Sequence, residues 1–121
     1  MLEHEDITKQ IIGAAFEVYK HLGYGFLESV YKKAMQVELG LRGIPCILEH
    51  KLVVNFKNHV VGDFSADLFV AQCVIVELKI AKAYCPADEA QLLNELKATG
   101  VKVGLLINFG KDKVDVRRFV Y

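Results

Sequence analysis

The sequence has no apolar run approaching the roughly 20 residues that a membrane-spanning helix needs; the longest uninterrupted stretches lie near Cys73-Val-Ile-Val76. It has no repeats, no low-complexity tract and no Pro/Ser-rich linker, so one domain spanning residues 1–121 is expected. Cys46, Cys73 and Cys85 are odd in number and form no CxxC pair. That excludes a self-contained disulfide framework and points to reduced thiols. His4, His21, His50 and His59 show no zinc-ligand spacing. The opening stretch, MLEHEDITKQ, is acidic and polar, unlike a secretory signal, and a cytoplasmic protein with no membrane partner is expected.

An excess of charge is also missing: 15 Lys+Arg stand against 15 Asp+Glu. This argues against a strong, sequence-blind grip on a phosphate backbone. The charge is unevenly spread, however. From Lys97 onward six basic residues (Lys97, Lys102, Lys111, Lys113, Arg117, Arg118) face two acidic ones (Asp112, Asp115), leaving that segment at +4 and the remainder at −4. With 53% apolar and 25% charged residues, the composition is that of a soluble globular chain able to bury a two-layer core.

From about Asp6 to His21, the residues Ile7, Ile11, Ala14, Ala15, Val18 and Leu22 recur at helical spacing, and Gly23-Tyr-Gly25 ends that helix. A second helix is expected over about Leu27–Leu41, with Leu27, Val30, Ala34, Val37 and Leu41 as its apolar stripe, before Gly43 and Pro45 stop it. Strands follow. Leu48, Leu52, Val54 and Phe56 are expected on one face of the first, and Glu49, Lys51 and Asn55 on the other. Lys57-Asn58 turns into a second strand over about His59–Val70, and Cys73–Ile80 reads as a central third strand. Pro86 opens a helix to about Ala98; strands over Val101–Phe109 and Val114–Val120 complete an ααβββαββ order. The third and fourth strands should be parallel and the rest antiparallel.

One constellation stands out. Asp67 is followed ten positions later by Glu77-Leu-Lys79. A hairpin turn at Ala71-Gln72 makes Asp67 and Glu77 cross-strand neighbours, about 5 Å apart, where like charges repel unless a cation compensates them. Glu77 and Lys79 share one face of an otherwise apolar strand, a placement that costs several kcal/mol without pairing or a metal. Phosphodiester hydrolysis would use such a set. Two carboxylates hold Mg²⁺, the metal polarises the phosphate and acidifies a bound water, and a lysine positions that water. The competing reading is an ordinary ion pair on an exposed strand face.

The D-x9-E-x-K pattern on a hairpin, preceded by a helix bearing Glu and followed by an α–β unit, resembles the PD-(D/E)XK nuclease superfamily. Gly25-Phe-Leu-Glu28-Ser-Val-Tyr31 further resembles the GxxExxY motif of a small prokaryotic family within it. Ile44-Pro45, Ala66-Asp67-Leu68, Val76-Glu77-Leu78-Lys79, Glu89-Ala-Gln91-Leu-Leu-Asn94, Ala98-Thr-Gly100 and Gly104-Leu-Leu-Ile-Asn-Phe-Gly110 extend the likeness over nearly the whole chain.

The resemblance implies an α/β (α+β-like) fold with a restriction-endonuclease-like αβββαβ core, a mixed five-stranded sheet, flanking helices and an extra N-terminal helix. It implies that Asp67 and Glu77 are metal ligands, with the Leu78 carbonyl a candidate third, and that Lys79 orients the nucleophile or stabilises transition-state charge. Glu28 corresponds to the acidic residue on the first core helix that contacts the metal or its water. Its bland reading is a first-turn Glu favoured by the helix dipole. Gln91 corresponds to a helix glutamine that often pairs with a tyrosine four positions on, but Glu95 stands there instead. Tyr31 is expected in the core, and Asp63, of the same parity as Asp67, is an outer candidate.

Glu28, Asp67, Glu77 and Lys79 are thus expected to converge on one partly exposed concavity, with Gln91 beside them. The implied activity is a nuclease using Mg²⁺ or Mn²⁺, with nucleic acid as partner, DNA ahead of RNA. The alternative is a weakly active or inactive nucleic-acid- or protein-binding module of the same fold. A structure-selective resolvase would require a homodimer presenting two sites.

Overall fold

The computed structural model describes residues 3–121, so Met1 and Leu2 of the polar N-terminal stretch lie outside the described residues. The elements are α1 (Glu5–Leu22), α2 (Glu28–Leu41), β1 (Cys46–Phe56), β2 (His59–Val70), β3 (Val74–Lys79), α3 (Ala87–Thr99), β4 (Val103–Phe109) and β5 (Val114–Val120). This is the ααβββαββ order expected from the periodicities. The five strands form one sheet in sequence order, β1-β2-β3-β4-β5. Only β3 and β4 run parallel, joined through α3; the other neighbours are antiparallel. Among the described residues, no helix is long and apolar enough to cross a membrane.

α1 carries Glu5 and Asp6 in its first turn and Lys20 and His21 in its last, which suits the helix dipole at both ends. Its inward side is Ile11, Ala14, Ala15 and Val18, as the spacing predicts. Gly23, at φ 66°, terminates it by donating its N–H to the Tyr19 carbonyl.

α2 departs from expectation. Its buried residues are Tyr31, Met35 and Leu39, whereas Leu27, Val37 and Leu41 are 76%, 63% and 80% exposed. The large side chains decide the rotation of the helix. Tyr31 stacks on Phe109 with ring centroids 4.6 Å apart and donates its hydroxyl hydrogen bond to the Gly23 carbonyl. The same rotation turns Glu28 and Lys32, one helical turn apart, toward the sheet.

α1 and α2 cover one sheet face, packing on Leu68, Val70, Val74, Val76, Leu78, Val103, Leu105, Ile107 and Phe109. α3 covers the other, with Leu92 and Leu96 against Ala66, Ile75 and Leu106. Gly104 permits the close approach of α3, because a Cβ there would lie 2.9 Å from a Leu92 methyl.

The single-face reading of β1 is also corrected. Leu48 packs with α1 and α2, but Leu52, of the same parity, packs with the α3 cluster. On β2, Leu68 and Ala66 divide in the same way. Glu49, at φ 50°, lies at this reversal, in the gap between the Leu48↔Leu68 and His50↔Ala66 pairs. A left-handed residue inside a strand rotates everything beyond it. Phe56, at the hairpin tip, is exposed. Cys73, expected inside β3, is half-buried and precedes it, following the Ala71-Gln72 turn in which both residues have positive φ.

Candidate functional site

β2 and β3 pair only at Leu68↔Val76, Phe69↔Ile75 and Val70↔Val74. Beyond Leu68 the strands part, and side chains take over from the ladder. The Leu78 N–H donates to Asp67 Oδ2 at 2.8 Å, and the Asp67 N–H donates to Glu77 Oε1 at 3.3 Å. Each carboxylate therefore satisfies a backbone donor that the opening of the sheet would otherwise leave unpaired.

α2 supplies the counter-charge. Lys32 Nζ lies 3.1 Å from Asp67 Oδ1 and 3.3 Å from Glu49 Oε1. Burial alone would lower the Lys32 pKa, but the hydrogen bond and charge of Asp67, joined by Glu49 and Glu28, raise it. Sequence reasoning passed over Lys32. Its position four residues after Glu28 was the available signal, since i and i+4 share a helix face.

Glu77 is 8% exposed. Burial raises its pKa, and the neighbouring Asp67 and Glu95 carboxylates raise it further. Glu95, on α3, is 6% exposed; burial raises its pKa too, against hydrogen bonds from Gln91 and from Glu77. Gln91 Nε2 donates to Glu95 Oε2 at 3.2 Å. Glu28 stands at the exposed start of α2, its pKa raised by burial and by Asp67 and lowered by Lys32 and Lys79. The β3 end is fixed by Asn108, which is 1% exposed. Its side-chain amide clasps the backbone of Ala81, accepting from the N–H at 3.0 Å and donating to the carbonyl at 3.1 Å.

The structure thus brings Glu28, Asp67, Glu77 and Lys79 into one charged neighbourhood. Glu28 and Lys79 open on a cavity of about 490 Å³ with Tyr24, Phe26 and Leu27. Gln91 and Glu95 open on another of about 570 Å³ beside Val54 and Phe64. The carboxylates run as a chain from one side of the sheet to the other, because Glu28 and Glu95 arise from α2 and α3, helices on opposite faces, with Asp67 and Glu77 on the strands between. Asp63 is not part of it. It pairs with Lys51 at 3.8 Å on the exposed hairpin, because the reversal at Glu49 breaks the parity that linked it to Asp67. Among the described residues, no three His, Cys, Asp or Glu side chains stand ready to hold a metal ion. Asp67 is engaged by Lys32 and the Leu78 N–H, and Glu77 by the Asp67 N–H.

Glu95 is the residue of this neighbourhood that the sequence does not mark, because no local pattern distinguishes a buried helix Glu from an exposed one.

No curated protein matches the chain. Among solved structures, the crystal structure of SSO0001 is similar in fold, with a TM-score of 0.54 at 12% identity, covering 99% of this chain and 69% of that one. The family model described as the PD-(D/E)XK nuclease superfamily matches residues 5–119, which takes in every helix and all but the last residue of the sheet. With the parted strands, the Asp67–Glu77 clasp and the α3 crossover all inside that match, the chain belongs to the PD-(D/E)XK nuclease superfamily.

Proposed function

We propose that this chain, as one domain, is a divalent-metal-dependent nuclease hydrolysing phosphodiester bonds of nucleic acid, DNA ahead of RNA. The observation that carries the reading is the Asp67–Glu77 clasp in the opening between β2 and β3, two positions before Lys79. Asp67 and Glu77 would hold Mg²⁺ or Mn²⁺, with Glu28 at the rim; Gln91 acts from α3 through Glu95. The Gly25–Tyr31 segment supports a narrower assignment to the GxxExxY group.

The donor set suits a hard cation. All its members are oxygens, and Glu77 and Glu95 face each other with only a shared proton between them, which a cation would displace. When bound, such an ion polarises the phosphate and acidifies a water. Asp67 and Glu77 fix the geometry, Lys79 holds the attacking water or neutralises charge on the phosphate oxygens, and Glu28 orients water at the cavity mouth.

A second reading, a weakly active or inactive binding module of the same fold, is favoured by one observation: the Lys32 ammonium already occupies Asp67 Oδ1. The deciding assay compares wild type, Glu77→Gln and Lys79→Ala on DNA and RNA with Mg²⁺, Mn²⁺ or EDTA. Metal-dependent cleavage by wild type and its near-loss in both variants is the expected result. Absence of metal-dependent cleavage by wild type on every substrate supports the binding module, and undiminished cleavage by Glu77→Gln overturns the site.

A further inference from the structure

Glu95 has an oxygen that meets no amide, hydroxyl or ammonium donor. The residue is 6% exposed, and that oxygen is Oε1, while Oε2 is held by Gln91 Nε2. Among the described residues, neither Glu95 nor Glu77 takes part in an ion pair. The group within hydrogen-bonding reach of Glu95 on the sheet side is the Glu77 carboxyl, and the two can bond only by sharing a proton. Two carboxyls placed face to face in a buried setting keep a proton between them until a cation takes its place.

The surroundings explain how Glu95 comes to be there. Gly104 lets α3 sit close on β4, and Leu92 and Leu96 pin the helix so that position 95, between them, faces Glu77. Gln91 takes one oxygen and leaves the other turned inward, which makes Gln91 a positioning residue. The cavity of about 570 Å³ that Gln91 and Glu95 line gives a hydrated ion a way in from solvent.

We propose that Glu95 is a metal ligand: a divalent cation sits between Glu77 and Glu95, so that the ligand set spans β2, β3 and α3. Glu77 then serves two neighbours, Asp67 on one side and Glu95 on the other. This inference rests on the metal-dependent reading above, but a distinct residue on a distinct element carries it.

The test is Mn²⁺ binding by the intact chain, followed by electron paramagnetic resonance of free Mn²⁺ and by calorimetry, for wild type, Glu95→Gln and Glu77→Gln. Thermal melts without metal are run in parallel. Glu95→Gln is expected to weaken Mn²⁺ binding about 10- to 100-fold, or to remove one bound equivalent. Its metal-free melting temperature should hold or rise, because the new amide can donate to Glu77. Mn²⁺ affinity that falls in Glu77→Gln but stays within about twofold of wild type in Glu95→Gln overturns the ligand assignment and leaves the nuclease reading standing. A lowered metal-free melting temperature with unchanged Mn²⁺ affinity likewise overturns it, assigning Glu95 to packing. Wild type that binds no Mn²⁺ overturns both.

Discussion

Lys32 holds its ammonium 3.1 Å from Asp67 Oδ1, with both side chains largely shielded from solvent. The protein thereby carries its own cation at the carboxylate proposed to bind metal. Lys32 and a divalent ion compete for the same oxygen, so the lysine stabilises the metal-free fold and lowers metal affinity. In Lys32→Met the metal-free protein should lose roughly 3 kcal/mol, the order expected when one partner of a shielded ion pair is removed. The rise in melting temperature on adding Mg²⁺ should be larger than in wild type. Denaturant melts with and without Mg²⁺ check both; an unchanged metal-free stability would mean that Asp67 does not depend on Lys32.

The crowded carboxylates set a pH dependence. Glu77, Glu95 and Glu28 all have pKa values raised above the ordinary carboxylate value in the folded state. Above that ordinary value the folded chain holds more protons than the unfolded one, so stability must fall as pH rises. The contribution is complete below the unfolded pKa and is lost as pH climbs through the raised values. Metal-free melting temperatures measured from mildly acidic to mildly alkaline pH should therefore decline. Glu77→Gln should flatten the decline, and its metal-free stability should match or exceed that of wild type.

Gly104 tests the seating of α3. Gly104→Ala puts a methyl 2.9 Å from Leu92 Cδ1, inside a packed cluster with little room to yield. Overpacking of this kind costs about 1–3 kcal/mol. Because α3 carries Gln91 and Glu95, the same change should weaken Mn²⁺ binding as well as stability, which chemical denaturation and metal titration read separately.

The three thiols should differ in reactivity. Burial pushes the Cys46 thiol up to about 11 and raises that of Cys73, while Cys85 is exposed. A thiolate is the reacting form, so alkylation of the folded protein, followed by mass spectrometry, should label Cys85 first and Cys46 last. Labelling of Cys46 ahead of Cys85 would contradict this order.

What the sequence makes legible here is what depends on neighbours along the chain. The α1 spacing and the turns at Lys57-Asn58 and Ala71-Gln72 are local, and they hold. The rotation of α2 is not local. Leu27, Val37 and Leu41 are as apolar as the residues that are buried, and the choice falls to Tyr31 because Phe109, 78 positions away, offers it a stacking partner. Glu49 gives no warning of φ 50°, since nothing in its neighbours marks a residue outside the usual turn formers. Lys32 and Glu95 become meaningful only when the gap between β2 and β3 is seen, because each answers a charge on another element.

That gap has a mechanical consequence. Past Leu68 and Leu48 the first two strands continue through His50–Phe56 and His59–Ala66 bonded to each other, with no third strand alongside in the sheet. Such a two-stranded arm is far less stiff than the five-stranded body. Its root is braced by α3, on which Leu52 and Ala66 pack, so it works as a cantilever only beyond the Leu52↔Phe64 pair. A load on the exposed tip, at Phe56, Val60 or Val61, is borne first at that pair, and reaches Asp67 and the Glu77 clasp only through the braced root. Amide protons of the arm should exchange faster than those of β3 and β4, and whatever damps the arm's sway should also steady the carboxylates at its root.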